Sequence, residues 1–169
     1  SLNYQDASNQ DYHFYQYPSY EDMDHAAIRI AYLGYYIKDW YGYKNAKFAI
    51  QRGLQTRKDA PENIGDLWGN GGLDEEFRIV NQYLKYLKYG FGCVTDQVCE
   101  AIHQGMVTRE EAVELVKKYD GDCSEHYINI FCDYIDISLD EFWTIVDRYA
   151  NKDLFEKING RWEPKFEVY

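Results

Sequence analysis

Five apolar residues, Leu73, Phe77, Val80, Leu84 and Leu87, recur at spacings of four, three, four and three. An α-helix gathers such a set onto one stripe, because 3.6 residues per turn return i+3, i+4 and i+7 to the same face. Stops and starts then follow in order. Gly90 and Gly92 end this helix, and Thr95 stands as the N-cap of a short helix over 96–104 that Gly105 stops. Thr108-Arg109-Glu110-Glu111 reads as a capping box, with Glu110, Glu111 and Glu114 early in its helix and Lys117 and Lys118 late, as the macrodipole favours. Asp120-Gly121 closes that helix. A further helix over 125–135 places Tyr127, Ile128, Phe131, Cys132 and Ile135 on one side, and Ser138-Leu139-Asp140-Glu141 is a second box with Ile137 stapled onto Phe142. The two boxed helices align at a 30-residue offset, Thr108 with Ser138 and Tyr119 with Tyr149. Residues 95–119 and 124–149 therefore read as two helical hairpins.

The flanks are less regular. Residues 43–52 read as a helix with Ala46, Ala49 and Ile50 on one face and Gly53 as its stop. Pro61, Gly65, Gly69, Gly71 and Gly72 break up 56–72 into a loop long enough to carry function or motion. Residues 28–37 suit a short strand or a helix about equally. In the tail, 153–169, Asn159-Gly160 between Ile158 and Trp162 signals a two-residue β-hairpin, with Pro164 on an edge strand. The expected fold is mainly α: helical hairpins, a short N-terminal strand as one option, and a C-terminal β-hairpin. Residues 1–27, with Tyr12, Phe14, Tyr15, Tyr17 and Tyr20 among polar residues, form an aromatic-rich segment expected to pack on a parent domain. Residues 28–169 form the mainly helical domain.

Charge and composition limit the partners. The 169 residues carry 18 Lys+Arg against 29 Asp+Glu, a net charge of −11, which disfavours nucleic acid and anionic membranes. No apolar run approaches the roughly 18 residues of a membrane helix, and four cysteines do not make a disulfide scaffold. A cytoplasmic location is expected. The 18 tyrosines suit either a wide, shallow core or an interface that wants both a ring and a hydroxyl.

Walker, GxGxxG, GxSxG, HExxH, EF-hand and CxxC motifs are absent. Cys99 with His103 and Cys123 with His126 have spacings that would offer two sulfurs and two nitrogens to zinc, against the alternative of core cysteines and solvated histidines. No metal is expected. The segment from Lys88 to Asp96 is more specific. Two glycines, a helix start and a lysine make a small anion site, or else only a helix-turn-helix link.

That segment, Lys88-Tyr89-Gly90-Phe91-Gly92 with Thr95-Asp96, resembles a known family. So do Gly105-Met106-Val107-Thr108-Arg109-Glu110-Glu111-Ala112, Val116-Lys117-Lys118-Tyr119-Asp120-Gly121, Glu141-Phe142-Trp143 and Leu33-Gly34-Tyr35-Tyr36-Ile37. The family is the N-acetyl sugar amidotransferases, the WbpG-like lipopolysaccharide biosynthesis proteins, and the resemblance runs from about residue 30 onward. It implies the C-terminal part of a larger α/β protein of PP-loop type, whose N-terminal ATP-pyrophosphatase domain binds ATP and Mg²⁺. The implied reaction adenylates the acetamido group of a nucleotide-activated N-acetyl sugar, and ammonia from a glutaminase subunit then displaces AMP to leave an acetamidino group. This chain lacks the ATP-binding loop, so it needs no cofactor of its own and is expected to be inactive alone. The substrate-contact candidates are Lys88, Gly90, Gly92, Thr95, Asp96 and Arg109, with no catalytic residue in this part. Cys93 stands where the family often has Arg, and Asp39 precedes Trp40 where the family tends to place it after, so a charged contact at 93 does not carry over. The alternative is a non-catalytic helical interaction module or scaffold.

Overall fold

The computed structural model describes residues 18–38 and 40–169. The aromatic stretch up to Tyr17 lies outside the described residues. The chain divides into two units, residues 1–40 and 41–169.

In the first unit, α1 (Tyr20–His25) starts at Ser19, whose Oγ accepts the Asp22 N–H at 3.0 Å. Residues 28–37 form no strand. Leu33–Tyr35 is a single 3₁₀ turn, and Tyr32, Leu33, Tyr35 and Tyr36 are all largely exposed. The strand formers here have no neighbouring strand among the described residues to pair with, and β-propensity without pairing does not make a strand.

The second unit carries α2 (Gly42–Ile50), α3 (Pro61–Ile64), α4 (Phe77–Tyr89), α5 (Cys93–His103), α6 (Arg109–Tyr119), α7 (Glu125–Ile135) and α8 (Leu139–Tyr149), then β1 (Phe155–Ile158) and β2 (Arg161–Pro164). The mainly helical expectation with a C-terminal hairpin holds. The strands pair antiparallel, Phe155 with Pro164 and Ile158 with Arg161. Asn159 and Gly160 both take positive φ (51° and 85°), as a two-residue turn matching strand twist requires.

Two cores organise this unit. In the larger, Val80 and Leu87 of α4 meet Ile128 and Cys132 of α7 and Phe142 and Val146 of α8, and Phe155 of β1 is sealed in beside Tyr86. In the smaller, Val94 and Val98 of α5 pack on Ala112 of α6, with Leu67, Leu115 and Val116 at its margin. The hairpin is fastened to α8 through Asp147, which accepts from Trp162 Nε1 at 3.1 Å and from Lys157.

Three local readings need correction. The stripe begins at Leu73, yet α4 begins only at Phe77 and Leu73 is exposed. The Arg57 guanidinium donates to the carbonyls of Gly71, Gly72 and Glu75 and so ties down the turn ahead of α4, whose N-cap is Glu76, and the Ile79 N–H bonds Glu76 O in the first turn. Thr95 is not an N-cap: Gly92 is, and α5 starts at Cys93. Of the two boxes, Thr108 and Glu111 exchange both bonds, whereas Ser138 only receives the Glu141 N–H at 3.1 Å.

Candidate functional site

A helix start leaves its first amides without intrahelical partners. At α5 they are taken by a side chain from elsewhere in the chain. The Asp120 carboxylate, at the C-cap of α6, accepts from Gly92 N (2.8 Å), Val94 N (3.0 Å), Thr95 N (3.4 Å) and Thr95 Oγ1 (2.6 Å). The amides expected to hold an external anion thus hold one the chain supplies. A Cβ at Gly92 would stand 2.7 Å from Asp120 Oδ1, so a larger residue there would push the carboxylate off these amides. In the sequence, Asp120 reads as part of a helix stop. The signal available was its sign: a carboxylate at a helix C-terminus is disfavoured by the dipole and so wants a donor elsewhere.

The remaining candidates distribute as follows. Gly90 is the left-handed C-cap of α4 (φ 82°), packed against Leu154 and Phe166. Asp96 is exposed and paired with Lys85 at 2.6 Å, while Lys85 also lies over the Phe91 ring. Lys88 is exposed, 5.9 Å over the Tyr89 ring, and its side chain makes no ion pair among the described residues. Arg109 is not part of this cluster. It sits at the opposite end of α6 from Asp120, about 16 Å along the axis at 1.5 Å per residue, and donates to the Tyr169 carbonyl oxygen at 2.7 Å.

Beneath the α4–α5 turn lies a buried polar network that the sequence reading did not find. Asp66, 4% exposed, accepts from Trp68 N and Gly69 N at 2.8 Å, from Gln97 Nε2 at 2.6 Å, and pairs with Arg78 at 3.2 Å. Gln97 in turn receives the Leu67 N–H at 2.9 Å. The other arm of Arg78 reaches Cys93 Sγ at 3.3 Å. Burial alone would lower the Arg78 pKa, but Cys93 and Asp66 outweigh it and hold it above the ordinary value. Burial and the nearby Asp66 push the Cys93 thiol up, so it is a poor nucleophile. Each polar group is satisfied, which describes a positioning frame for the glycine-rich turn rather than acid–base machinery.

No group of three or more His, Cys, Asp or Glu that could hold a metal ion occurs among the described residues, so Cys99, His103, Cys123 and His126 do not assemble a zinc site there. Cys123 is instead half-buried, donates to its neighbour Ser124, and is pushed to about 12 by burial and then by Asp122. No described helix is long and apolar enough to cross a membrane.

Lys88 borders a groove of about 570 Å³ between α4, α7 and α8, floored by Leu84, Phe131, Ile145 and Val146. Comparison with curated proteins finds no match. Residues 71–167, which span α4 to the β-hairpin and include the Asp120-capped turn, match the family model described as LPS biosynthesis protein WbpG-like, C-terminal domain. The match covers more than half of the sequence, and the chain belongs to the WbpG-like C-terminal domain family of lipopolysaccharide biosynthesis proteins.

Proposed function

We propose that this chain is the substrate-side, C-terminal part of an N-acetyl sugar amidotransferase of lipopolysaccharide or other surface-polysaccharide synthesis. The observation that carries the reading is the family match over 71–167. In the proposed reaction the acetamido oxygen of a nucleotide-activated sugar attacks the α-phosphorus of ATP and releases pyrophosphate. Ammonia from a glutaminase then adds to the activated carbon and AMP leaves, giving the acetamidino group. ATP and Mg²⁺ belong to a separate ATP-pyrophosphatase domain. The geometry is consistent with that division of labour, because Asp120 already takes the Gly92, Val94 and Thr95 amides at the glycine-flanked start of α5 and sets a negative charge where a nucleotide phosphate would bind. The use of ATP and a nucleotide sugar places the work in the cytoplasm.

Lys88 is the side chain in this part proposed to meet substrate oxygens, since it is exposed and free of an ion-pair partner among the described residues. Gly90, Gly92 and Thr95 shape the turn that presents it, and Asp96 restrains Lys85 beside it. In the full-length enzyme Lys88→Ala should cut turnover about tenfold or more while leaving the melting temperature nearly unchanged. Unchanged turnover would remove Lys88 from the site.

A second reading, a docking module for the glutaminase, is favoured by the exposure of Ile135, Ile145 and Tyr149 along the groove. Ile145→Asp separates the two: it should weaken glutaminase binding if the groove is the interface and leave it intact if not.

A further inference from the structure

On the other side of the buried network is a second cavity, about 570 Å³, within the range of small-molecule sites. Its walls are Tyr43, Lys47, Trp68 and Asn70, and Met106 and Leu115 contribute apolar surface. The two rings meet at 5.2 Å between centroids with a 54° tilt, forming a corner rather than a closed stack.

Trp68 is held from both sides in sequence. Its own N–H and that of Gly69 bond Asp66, the preceding Leu67 N–H bonds Gln97, and Gly69 O accepts the Arg57 N–H at 2.9 Å. Gly69 has φ 58°, and a Cβ there would lie 2.8 Å from Arg57 O, so this turn is built for glycine. Tyr43 is fixed in the first turn of α2, where its N–H faces Glu100 Oε1 at 3.4 Å. The charged network of Asp66, Arg78 and Gln97 thus holds rigid a backbone whose tryptophan lines an open cavity.

The polar groups of the cavity are unspent. The Tyr43 hydroxyl, the Lys47 ammonium, the Trp68 indole N–H and the Asn70 carboxamide make no hydrogen bond with any described residue, and none is sealed from solvent. Aromatic rings with donors and acceptors at their margin fit a pyranose, whose C–H face packs on a ring while its hydroxyls need polar partners. Lys47 is the single cation of the wall, which argues against a polyphosphate.

We propose that Trp68 and Tyr43, with Lys47 and Asn70, form a pyranose-binding platform. The choice of an N-acetylated probe rests on the amidotransferase reading; the platform itself does not. The test is saturation-transfer NMR on the 169-residue chain with free N-acetylglucosamine and, separately, glucose, repeated on Trp68→Ala, Lys47→Ala and Asn70→Ala after circular dichroism has verified their folds. The expected result is transfer to the sugar ring protons, an affinity loss of about tenfold or more (about 1.4 kcal/mol) in Trp68→Ala, and a smaller loss in the two polar variants. Lys47 is exposed and Asn70 partly exposed, so these two keep the test readable if Trp68→Ala fails to fold. Equal transfer from both sugars supports the platform and counts against the acetamido-sugar reading. N-acetylglucosamine binding that all three variants retain, or no transfer from either sugar, overturns the platform.

Discussion

Removing Asp120 tests the idea that a carboxylate from α6 caps α5. In Asp120→Ala, three amides and the Thr95 hydroxyl lose their acceptor together. An ordinary N-cap deletion costs about 1 kcal/mol and up to about 2, and loss of a negative charge at a helix N-terminus adds about 0.3–1 kcal/mol. Because Gly92 is buried and both carboxylate oxygens are used, the upper end applies, about 3 kcal/mol. Asp120→Asn keeps one acceptor and turns the other into a donor, so it should cost roughly half as much. Urea unfolding at neutral pH reads both: with a slope of about 2 kcal/mol per molar, Asp120→Ala should lower the midpoint by about 1.5 M. The vacated amides of Asp120→Ala should then take up inorganic phosphate, so that added phosphate restores part of the lost midpoint in the variant and does little to the parent chain. A midpoint shift below about 0.3 M, or equal costs for alanine and asparagine, would refute the capping role.

Three further outcomes follow from the same structure. Asp122 is raised from 3.8 to about 6 by burial and then by Glu62 and Asp120. Its charge is therefore disfavoured in the folded state, so its penalty is full above about pH 6 and disappears as pH falls through 3.8. NMR titration should place its midpoint near 6, and Asp122→Asn should stabilise the chain at pH 7 by about 1 kcal/mol after allowance for solvent screening, an advantage that vanishes by pH 4. Gly65 has φ 54°, and a Cβ would sit 2.6 Å from the Asp122 backbone oxygen. Gly65→Ala should cost about 2–4 kcal/mol by thermal unfolding, and a loss under about 0.5 kcal/mol would show that the α3 end can relax. Of the four cysteines only Cys99 is exposed, whereas Cys93 and Cys132 are buried and Cys123 is pushed to about 12. Ellman's reagent should consume one thiol quickly and the other three only on unfolding, with Cys99→Ser abolishing the fast phase.

Features written in neighbouring residues were legible before the structure. The helix stripe, the Thr108–Glu111 box and the Asn159-Gly160 turn are satisfied within a few positions, so spacing alone specifies them. What spacing could not show was every contact joining distant residues. Asp120 reaches Gly92 across 28 positions, Gln97 reaches Asp66 across 31, and Glu100 reaches Tyr43 across 57. For that reason Thr95 reads as a cap, although Gly92 is the cap residue and its acceptor comes from Asp120, and Leu73 reads as helix, although α4 begins only at Phe77. Of the substrate candidates, Gly92 and Thr95 come together on Asp120, Asp96 joins Lys85, and Arg109 stands apart.

The same long-range contacts change the meaning of the net charge of −11. In an acidic chain it is natural to treat carboxylates as a solvated surface or a repellent for polyanions. Several here instead serve as internal acceptors: Asp120 for α5, Glu100 for α2, Glu111 for α6, and Asp66 for the glycine-rich turn. A carboxylate placed on backbone amides is worth more to the fold than one in water, and it closes the helix N-termini that an anionic ligand would otherwise find. The acidity therefore removes phosphate sites as well as repelling phosphates. Such a surface suits ring faces and neutral hydrogen bonds, with a few isolated lysines, better than it suits the capture of a polyanion. Among the described residues, Trp68 with Asn70 and Lys47, and Lys88 at the α4–α5 turn, are examples where such groups remain open.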